Sequence, residues 1–77
     1  MRRLKSLDMV PEGKKVRVRY VYGGWGLIRR LYALGFIPGE IVQVIKSSFG
    51  PIVVYVRGTR IALGRGVARK IIVEEVE

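Results

Sequence analysis

The side chains that most often perform catalysis or bind transition metals are absent, because the chain contains no histidine and no cysteine. These two residue types supply most general bases, nucleophiles and transition-metal ligands in proteins. The carboxylates lie in predicted turns or in the C-terminal tail: Asp8, Glu12, Glu40, Glu74, Glu75 and Glu77. A hard-cation site needs several oxygen ligands close together, whereas Glu74 and Glu75 should point to opposite faces of a strand. We therefore expect no catalytic residue, no cofactor and no metal site.

A glycine-rich segment at 23–26 precedes a predicted helix, which is the general order found in phosphate-binding loops. The segment matches neither the P-loop nor the dinucleotide-binding fingerprint, and no Lys-Ser or Lys-Thr pair follows it. We interpret it as a bend that lets a strand lead into a helix. Trp25 lies among three glycines, which leave few neighbours to bury it. We expect its ring to be partly exposed.

The chain is strongly basic, with 15 Lys and Arg residues against 6 Asp and Glu residues and a net charge of +9. Such a surface attracts nucleic acid, an anionic membrane or an acidic protein surface. Arginine outnumbers lysine, which favours specific contacts with carboxylate or phosphate groups. The alternative is a solvated surface that only maintains solubility. The candidate partner-binding residues are Trp25, Arg29, Arg30, Tyr55, Arg57, Arg65 and Arg69.

Short segments in which Val, Ile or Tyr alternates with other residues recur between turns that contain glycine or proline. In the first segment Val16, Val18 and Tyr20 should face the core. A tight turn at Gly58 and Thr59 should join the third and fourth segments as a hairpin. Five short strands with one short helix indicate a small β-barrel or roll. The predicted strands span 15–21, 40–46, 51–57, 60–63 and 70–76.

One helix is predicted at 27–34, where Leu27, Leu31 and Leu34 recur at the spacing of a single helical face. Gly35 is well placed to end this helix in the left-handed conformation that glycine tolerates best. Some apolar residues point away from the core on their strands: Val53, Tyr55 and Ile72. They form either an exposed binding surface or the seat of the helix, and the sequence leaves both interpretations open.

The length of 77 residues fits a single domain that spans 1–77. No stretch approaches the roughly 18–20 apolar residues of a membrane-spanning helix. The basic start is not followed by the apolar region of a signal peptide. We expect a soluble, cytoplasmic protein.

The order and spacing of several short stretches carry a family resemblance that extends from about Leu4 to Glu74. A leucine-rich helix is followed by Leu34-Gly35-Phe36-Ile37-Pro38-Gly39 and then by Val42 and Val44. Further along lie Gly50-Pro51-Ile52, Val54, Val56, Gly58 and Ile61-Ala62-Leu63, and then Ala68, Ile71 and Val73. Together these stretches resemble the FeoA family of small accessory proteins of ferrous iron transport.

The resemblance implies a mainly β fold, a small SH3-like β-barrel of about five strands with one short helix inserted after the first strand. It also implies a partner, the cytoplasmic part of the FeoB-type membrane transporter, and an adaptor that has no small-molecule substrate. Such a protein would lie in the cytoplasm, peripherally at the inner membrane face, in contact with anionic lipid. The matching residues are core and turn positions, so they carry over the fold and not the binding site.

Other functions compete with the adaptor. A basic barrel could bind nucleic acid by stacking bases on Trp25, Tyr20, Tyr22 or Tyr55. One of Arg29, Arg30 and Arg65 could instead enter the partner's active site and accelerate GTP hydrolysis. Direct iron binding has the least support, because His and Cys are absent.

Overall fold

The fold is mainly β, and the computed structural model describes residues 3–76. Six strands are present in place of the five expected, because a short first strand pairs with the last one. That strand has only three residues, which is too short for an alternating pattern to reveal it. In chain order the elements are β1 (Leu4–Ser6), a 3₁₀ helix (Leu7–Met9), β2 (Lys15–Val21), α1 (Trp25–Leu34), β3 (Ile41–Lys46), β4 (Ile52–Val56), β5 (Thr59–Leu63), α2 (Arg65–Ala68) and β6 (Ile71–Glu75).

All six strands belong to one antiparallel sheet, in the order β1-β6-β2-β3-β4-β5. The register places Val16 opposite Val42 and Val42 opposite Val56, so one inward row crosses three strands. On the other side of β2, Val18 lies opposite Val73 of β6. Among the described strands, β1 and β5 are paired along one side only and form the two edges.

A single apolar cluster fills the interior and draws residues from β2 to β6, both helices and the 3₁₀ helix. Phe36, Leu7 and Leu31 are among its largest fully or almost fully buried side chains. The alternating valines and isoleucines of β3, β4 and β6 are buried: Val42, Val44, Ile52, Val54, Val56, Ile71 and Val73. The sheet therefore curls around one core, which is where most of the hydrophobic stabilisation of a chain this small must arise.

The prediction that Tyr20 faces the core is wrong, because its side chain is 49% exposed. The register between β2 and β6 shifts between Val18 and Tyr20, which inserts an irregularity into the ladder. Such a bulge reverses the alternation beyond it. Val21 is buried instead of Tyr20.

Helix α1 begins two residues earlier than predicted and ends at Leu34 as expected. Gly35 caps it with φ of 111°, in the left-handed region, and its N–H approaches the carbonyls of Leu31 and Tyr32. Leu31 is buried, but Leu34 is 41% exposed, so the predicted three-leucine face is only partly correct. The buried face is completed by Leu27 and Ile28, one turn before Leu31.

The hairpin between β4 and β5 turns through Arg57 and Gly58, one residue earlier than predicted, because Val56 pairs with Thr59. Both turn residues have positive φ, 55° at Arg57 and 75° at Gly58. Two successive positive φ values are typical of the type I′ turn, whose twist matches that of the flanking strands. Within residues 3–76, neither helix has the length and hydropathy needed to cross a bilayer.

Candidate functional site

The outward face of α1 carries the most exposed aromatic side chain among the candidates, that of Trp25 at 76% exposure. Trp25, Arg29 and Tyr32 follow one another at i, i+4 and i+7, so they share a face that is turned away from the buried Leu31. The expected exposure of the Trp25 ring is confirmed. We call Trp25, Arg29, Arg30 and Tyr32 the α1 surface.

The two arginines of the α1 surface are exposed and unneutralised. Helix α1 contains no acidic residue. Within the described residues, neither Arg29 nor Arg30 has a carboxylate within the distance of an ion pair. A helix surface that carries an exposed aromatic ring and two arginines without ion-pair partners suits contact with an acidic protein surface, because arginine forms directed bonds to carboxylates.

Arg57 joins the C-terminal end of α1 to the β4–β5 turn. A Cβ placed on Gly35 would lie 3.0 Å from Cδ of Arg57, so the arginine stem passes directly over the helix cap. Its Nε lies 3.6 Å from Oε1 of Glu40. Arg57 therefore lies beside the end of α1, but it already has a partner.

Tyr55 belongs to another part of the surface, the outward face of β4. Its ring is exposed, and the guanidinium carbon of Arg60 lies 5.6 Å from the ring centroid. Helix α1 does not cover this ring, so Tyr55 belongs to an exposed surface and is not part of the seat of the helix. Val53 and Ile72 are half-buried. Sequence reasoning did not select Arg60, and only its position opposite Tyr55 in the hairpin register identifies it.

The last two candidates are engaged in contacts within the chain: Arg65 at the start of α2, and Arg69 directly after its end. Arg65 donates a hydrogen bond to the Ser47 carbonyl, which ties α2 to the β3–β4 loop. Arg69 lies 3.6 Å from the Asp8 carboxylate, which ties α2 to the 3₁₀ helix. These contacts give both arginines a structural role, and no contact in the described structure joins them to the α1 surface.

The carboxylates between residues 3 and 76 all have partners within the chain. Glu12 accepts hydrogen bonds from the backbone N–H groups of Ser47 and Ser48 at 2.9 and 3.1 Å. The Ser47 bond above all lowers the pKa of Glu12 below its usual value. A hydrogen bond from Lys5 likewise lowers the pKa of Glu75. Little negative charge is left to neutralise the basic surface.

Within residues 3–76, Glu74 is the one charged side chain that is buried, at 3% exposure. Arg19 donates to it at 2.8 Å, and Arg17 lies 3.6 Å away. Glu75 is exposed on the other side of β6, so the prediction that the two glutamates point to opposite faces is confirmed. Strands β2 and β6 are thereby joined by an ion-pair network as well as by their ladder.

In the part of the chain that the structure describes, no three His, Cys, Asp or Glu residues come together as a group that could hold a metal ion. The arrangement that remains is a set of exposed aromatic and basic side chains on a rigid apolar core. Chemically, such a set can bind an acidic surface.

Comparison with known proteins gives consistent matches. The family model described as "FeoA domain" matches residues 5–75. A Methanocaldococcus jannaschii protein named "Putative Fe(2+) transport protein A" is 38% identical over 71 residues, which cover 92% of this chain and 87% of that protein. The match covers nearly the whole described domain.

Solved structures agree with this match. A crystal structure described as "Iron Uptake Regulatory Protein (FeoA)" aligns with a TM-score of 0.88 at 32% identity, covering 96% of this chain and 99% of that one. The zinc complex of Stenotrophomonas maltophilia FeoA, described as a procaryotic SH3 domain protein, aligns with a TM-score of 0.78 at 32% identity, covering 88% and 87%. The expected SH3-like fold and the expected family are both confirmed: the chain belongs to the FeoA family.

Proposed function

We propose that this chain is a cytoplasmic accessory protein of ferrous iron uptake that docks on the cytoplasmic part of a FeoB-type transporter. Membership of the FeoA family supports the link to ferrous iron transport. The observation that carries the docking role is the α1 surface, with its 76% exposed Trp25 and two arginines that have no ion-pair partner within residues 3–76. The protein acts by binding and not by catalysis.

The site within this proposal consists of Trp25, Arg29 and Arg30, with Arg57 beside the end of the helix. Trp and Arg are the residues most often found to dominate the energetics of protein interfaces. The net charge of +9 steers the chain toward an acidic patch on the transporter and toward the anionic lipid beside it. Arg65 contributes through the β3–β4 loop that it holds.

The docking experiment is calorimetry of the full chain with the purified cytoplasmic domain of the transporter, with and without GTP. We expect saturable binding that weakens as salt increases. A single-stranded oligonucleotide serves as the competing ligand. The adaptor hypothesis is overturned if the chain binds the oligonucleotide tightly and does not bind the transporter domain with or without GTP. That result would instead indicate a nucleic-acid-binding protein.

Docking is also proposed to modulate the assembly or the GTPase activity of the transporter. Arg29 and Arg30 are free to reach a nucleotide, whereas Arg65 is bonded to Ser47. An arginine supplied in trans accelerates hydrolysis by about 10³–10⁵-fold in known cases. We expect the double variant Arg29→Gln, Arg30→Gln to remove any acceleration of GTP hydrolysis. If the double variant still binds the transporter domain and GTP hydrolysis is still accelerated, neither arginine is the accelerating group.

A further inference from the structure

The outer side of β5 is an open sheet edge. Strand β5 pairs with β4 alone, and a two-residue turn closes that hairpin at the Val56–Thr59 pair. The closing pair of such a hairpin is hydrogen-bonded, and hydrogen-bonded pairs then alternate along the ladder. The next such pair is Val54–Ile61. The N–H and C=O groups of Arg60 and Ala62 therefore point away from β4, toward solvent.

These backbone groups have no partner among residues 3–76, because no backbone or side-chain hydrogen bond reaches Arg60 or Ala62 from another element. Strand β5 contains neither proline nor glycine. Its register with β4 runs through all five residues without a bulge, unlike the β2–β6 and β3–β4 ladders. Natural sheets normally block an edge of this kind with proline, a bulge or a charged side chain. Of these three, β5 carries the charged side chain, Arg60, which repels a basic strand and attracts an acidic one. The β5 edge is therefore ready to accept another strand.

The side chains beside this edge define what kind of strand fits. Arg60 lies over the ring of Tyr55, and Ala62 lies opposite the half-buried Val53 on the same outward face. A strand added next to β5 would place alternate side chains against Arg60 and against Ala62. A carboxylate suits the first position, and an apolar side chain suits the second.

Charge decides between an acidic peptide and a second copy of this chain. Arg60 has no carboxylate partner in the described residues. Antiparallel pairing of two fully overlapping β5 strands would place each Arg60 opposite Ala62 of the other copy, so that the two arginines become diagonal neighbours on one face and two bodies of charge +9 meet. Like charges across a ladder are destabilising. An acidic segment of another protein meets no such penalty.

We propose that the free edge of β5 binds an extended acidic peptide segment of a partner protein by β-strand addition, with a carboxylate opposite Arg60 and an apolar side chain beside Ala62. This edge is separate from the α1 surface, so the chain would hold two partners or two parts of one partner. The proposal does not require the transporter to be the partner, and the experiment below is performed without it.

The probe is a capped peptide of about eight residues, Glu-Thr-Val-Thr repeated, which is long enough to span β5. Every second side chain of a strand lies on the same face, so this sequence places a glutamate opposite Arg60 and a valine beside Ala62. Amide hydrogen exchange of the full chain is measured by NMR with and without this peptide. We expect saturating peptide to slow exchange at Arg60 and Ala62 by about tenfold or more, because both N–H groups gain a bonded partner. The same peptide with lysine in place of each glutamate should give no protection.

Two variants test the geometry. Ala62→Pro removes the outward N–H and leaves the bonds to β4, so it should abolish protection at Arg60, whereas Ala62→Val should retain it. Arg60→Glu keeps the backbone and should reverse the preference, so that the lysine peptide protects Ala62. The proposal is overturned if the glutamate peptide leaves both amides unprotected. It is also overturned if Ala62→Pro and Arg60→Glu both behave like the unaltered chain.

Discussion

At the scale of single residues, the backbone at the end of α1 requires glycine for two reasons. Gly35 has φ of 111°, a value that side chains with a Cβ rarely adopt. A Cβ there would also lie 3.0 Å from Cδ of Arg57 and 3.1 Å from a methyl group of Val56. The cap and the tight approach of the β4–β5 hairpin both depend on the missing side chain.

We expect Gly35→Ala to lower the free energy of unfolding by about 1–3 kcal/mol, from left-handed strain and the close contacts. Gly26→Ala is the matched control, since it lies within α1 and a Cβ there meets open space. The control should raise stability by about 0.5–1 kcal/mol through helix propensity. Urea unfolding of both variants measures the difference. Equal stability of the two would contradict the role given to Gly35.

The buried carboxylate of Glu74 gives a second prediction at this scale. Glu74→Gln should cost about 1–2 kcal/mol, because Arg19 and Arg17 lose their charged acceptor but remain partly solvated. Glu75→Gln is the control on the opposite face of β6 and should leave the thermal midpoint nearly unchanged. Thermal unfolding near neutral pH compares the two. If Glu75→Gln lowers the thermal midpoint more than Glu74→Gln does, burial of the carboxylate does not determine how much these ion pairs stabilise the fold.

At the scale of elements, the β3–β4 loop is held from two sides. Glu12 accepts hydrogen bonds from the N–H groups of Ser47 and Ser48, and Arg65 of α2 donates to the Ser47 carbonyl. The loop connects two central strands, so its conformation is fixed by residues distant in sequence. None of these contacts follows from local turn propensity.

The Glu12 contact predicts a dependence on pH. The folded-state pKa of Glu12 lies below its usual value of 4.5, so the stabilisation is present above that pH and is lost as the pH falls through the lower, folded-state value. At a pH below the folded-state pKa of Glu12, we expect the Ser47 and Ser48 amides to lose protection. Their hydrogen-exchange rates, divided by the intrinsic rates at the same pH, should then be higher than at neutral pH. Glu12→Gln should give fast exchange at neutral pH as well. Protected amides in that variant at neutral pH would contradict the contact.

The strands show how far the sequence could predict this fold. Val and Ile alternation located β2 to β6 within one or two residues, because one face of each strand is buried in the common core. Tyr20 was misplaced, since a bulge depends on pairing with a distant strand and leaves no local pattern. The turn was displaced by one residue because Arg57 adopts a positive φ that favours glycine or asparagine.

The candidate site was predictable only in part. Exposure of Trp25 follows from its glycine neighbours, and the i, i+4 spacing places Arg29 beside it. The internal contacts of Arg65 and Arg69 depend on where α2 docks, which no single-sequence pattern specifies. The open edge of β5 depends on the strand order and is invisible in the sequence for the same reason.

At the scale of the whole molecule, the apolar core maintains the fold and the charged surface is available for binding. The apolar core supplies the fold, while the described carboxylates are engaged in internal contacts and leave much of the +9 charge at the surface. A small protein with such a surplus should associate quickly with an acidic partner. Attraction of this kind acts over about one Debye length, roughly 10 Å at 0.1 M salt.

We therefore expect the association rate with the transporter's cytoplasmic domain to fall steeply as ionic strength rises, by about tenfold or more. The dissociation rate should change much less, because it depends on the desolvated contacts around Trp25. Stopped-flow measurements across a salt series give both rates. A salt-independent association rate would show that the surface charge has no part in docking.

The most direct test of the α1 surface compares two triple variants in calorimetry with that domain. One is Trp25→Ser, Arg29→Gln, Arg30→Gln. The matched control is Phe49→Ser, Lys15→Gln, Lys46→Gln, which also removes two charges and one aromatic ring that is 74% exposed. We predict a loss of affinity of at least about tenfold for the α1 variant and little change for the control. Equal losses in the two variants, or none in the first, would contradict docking through α1.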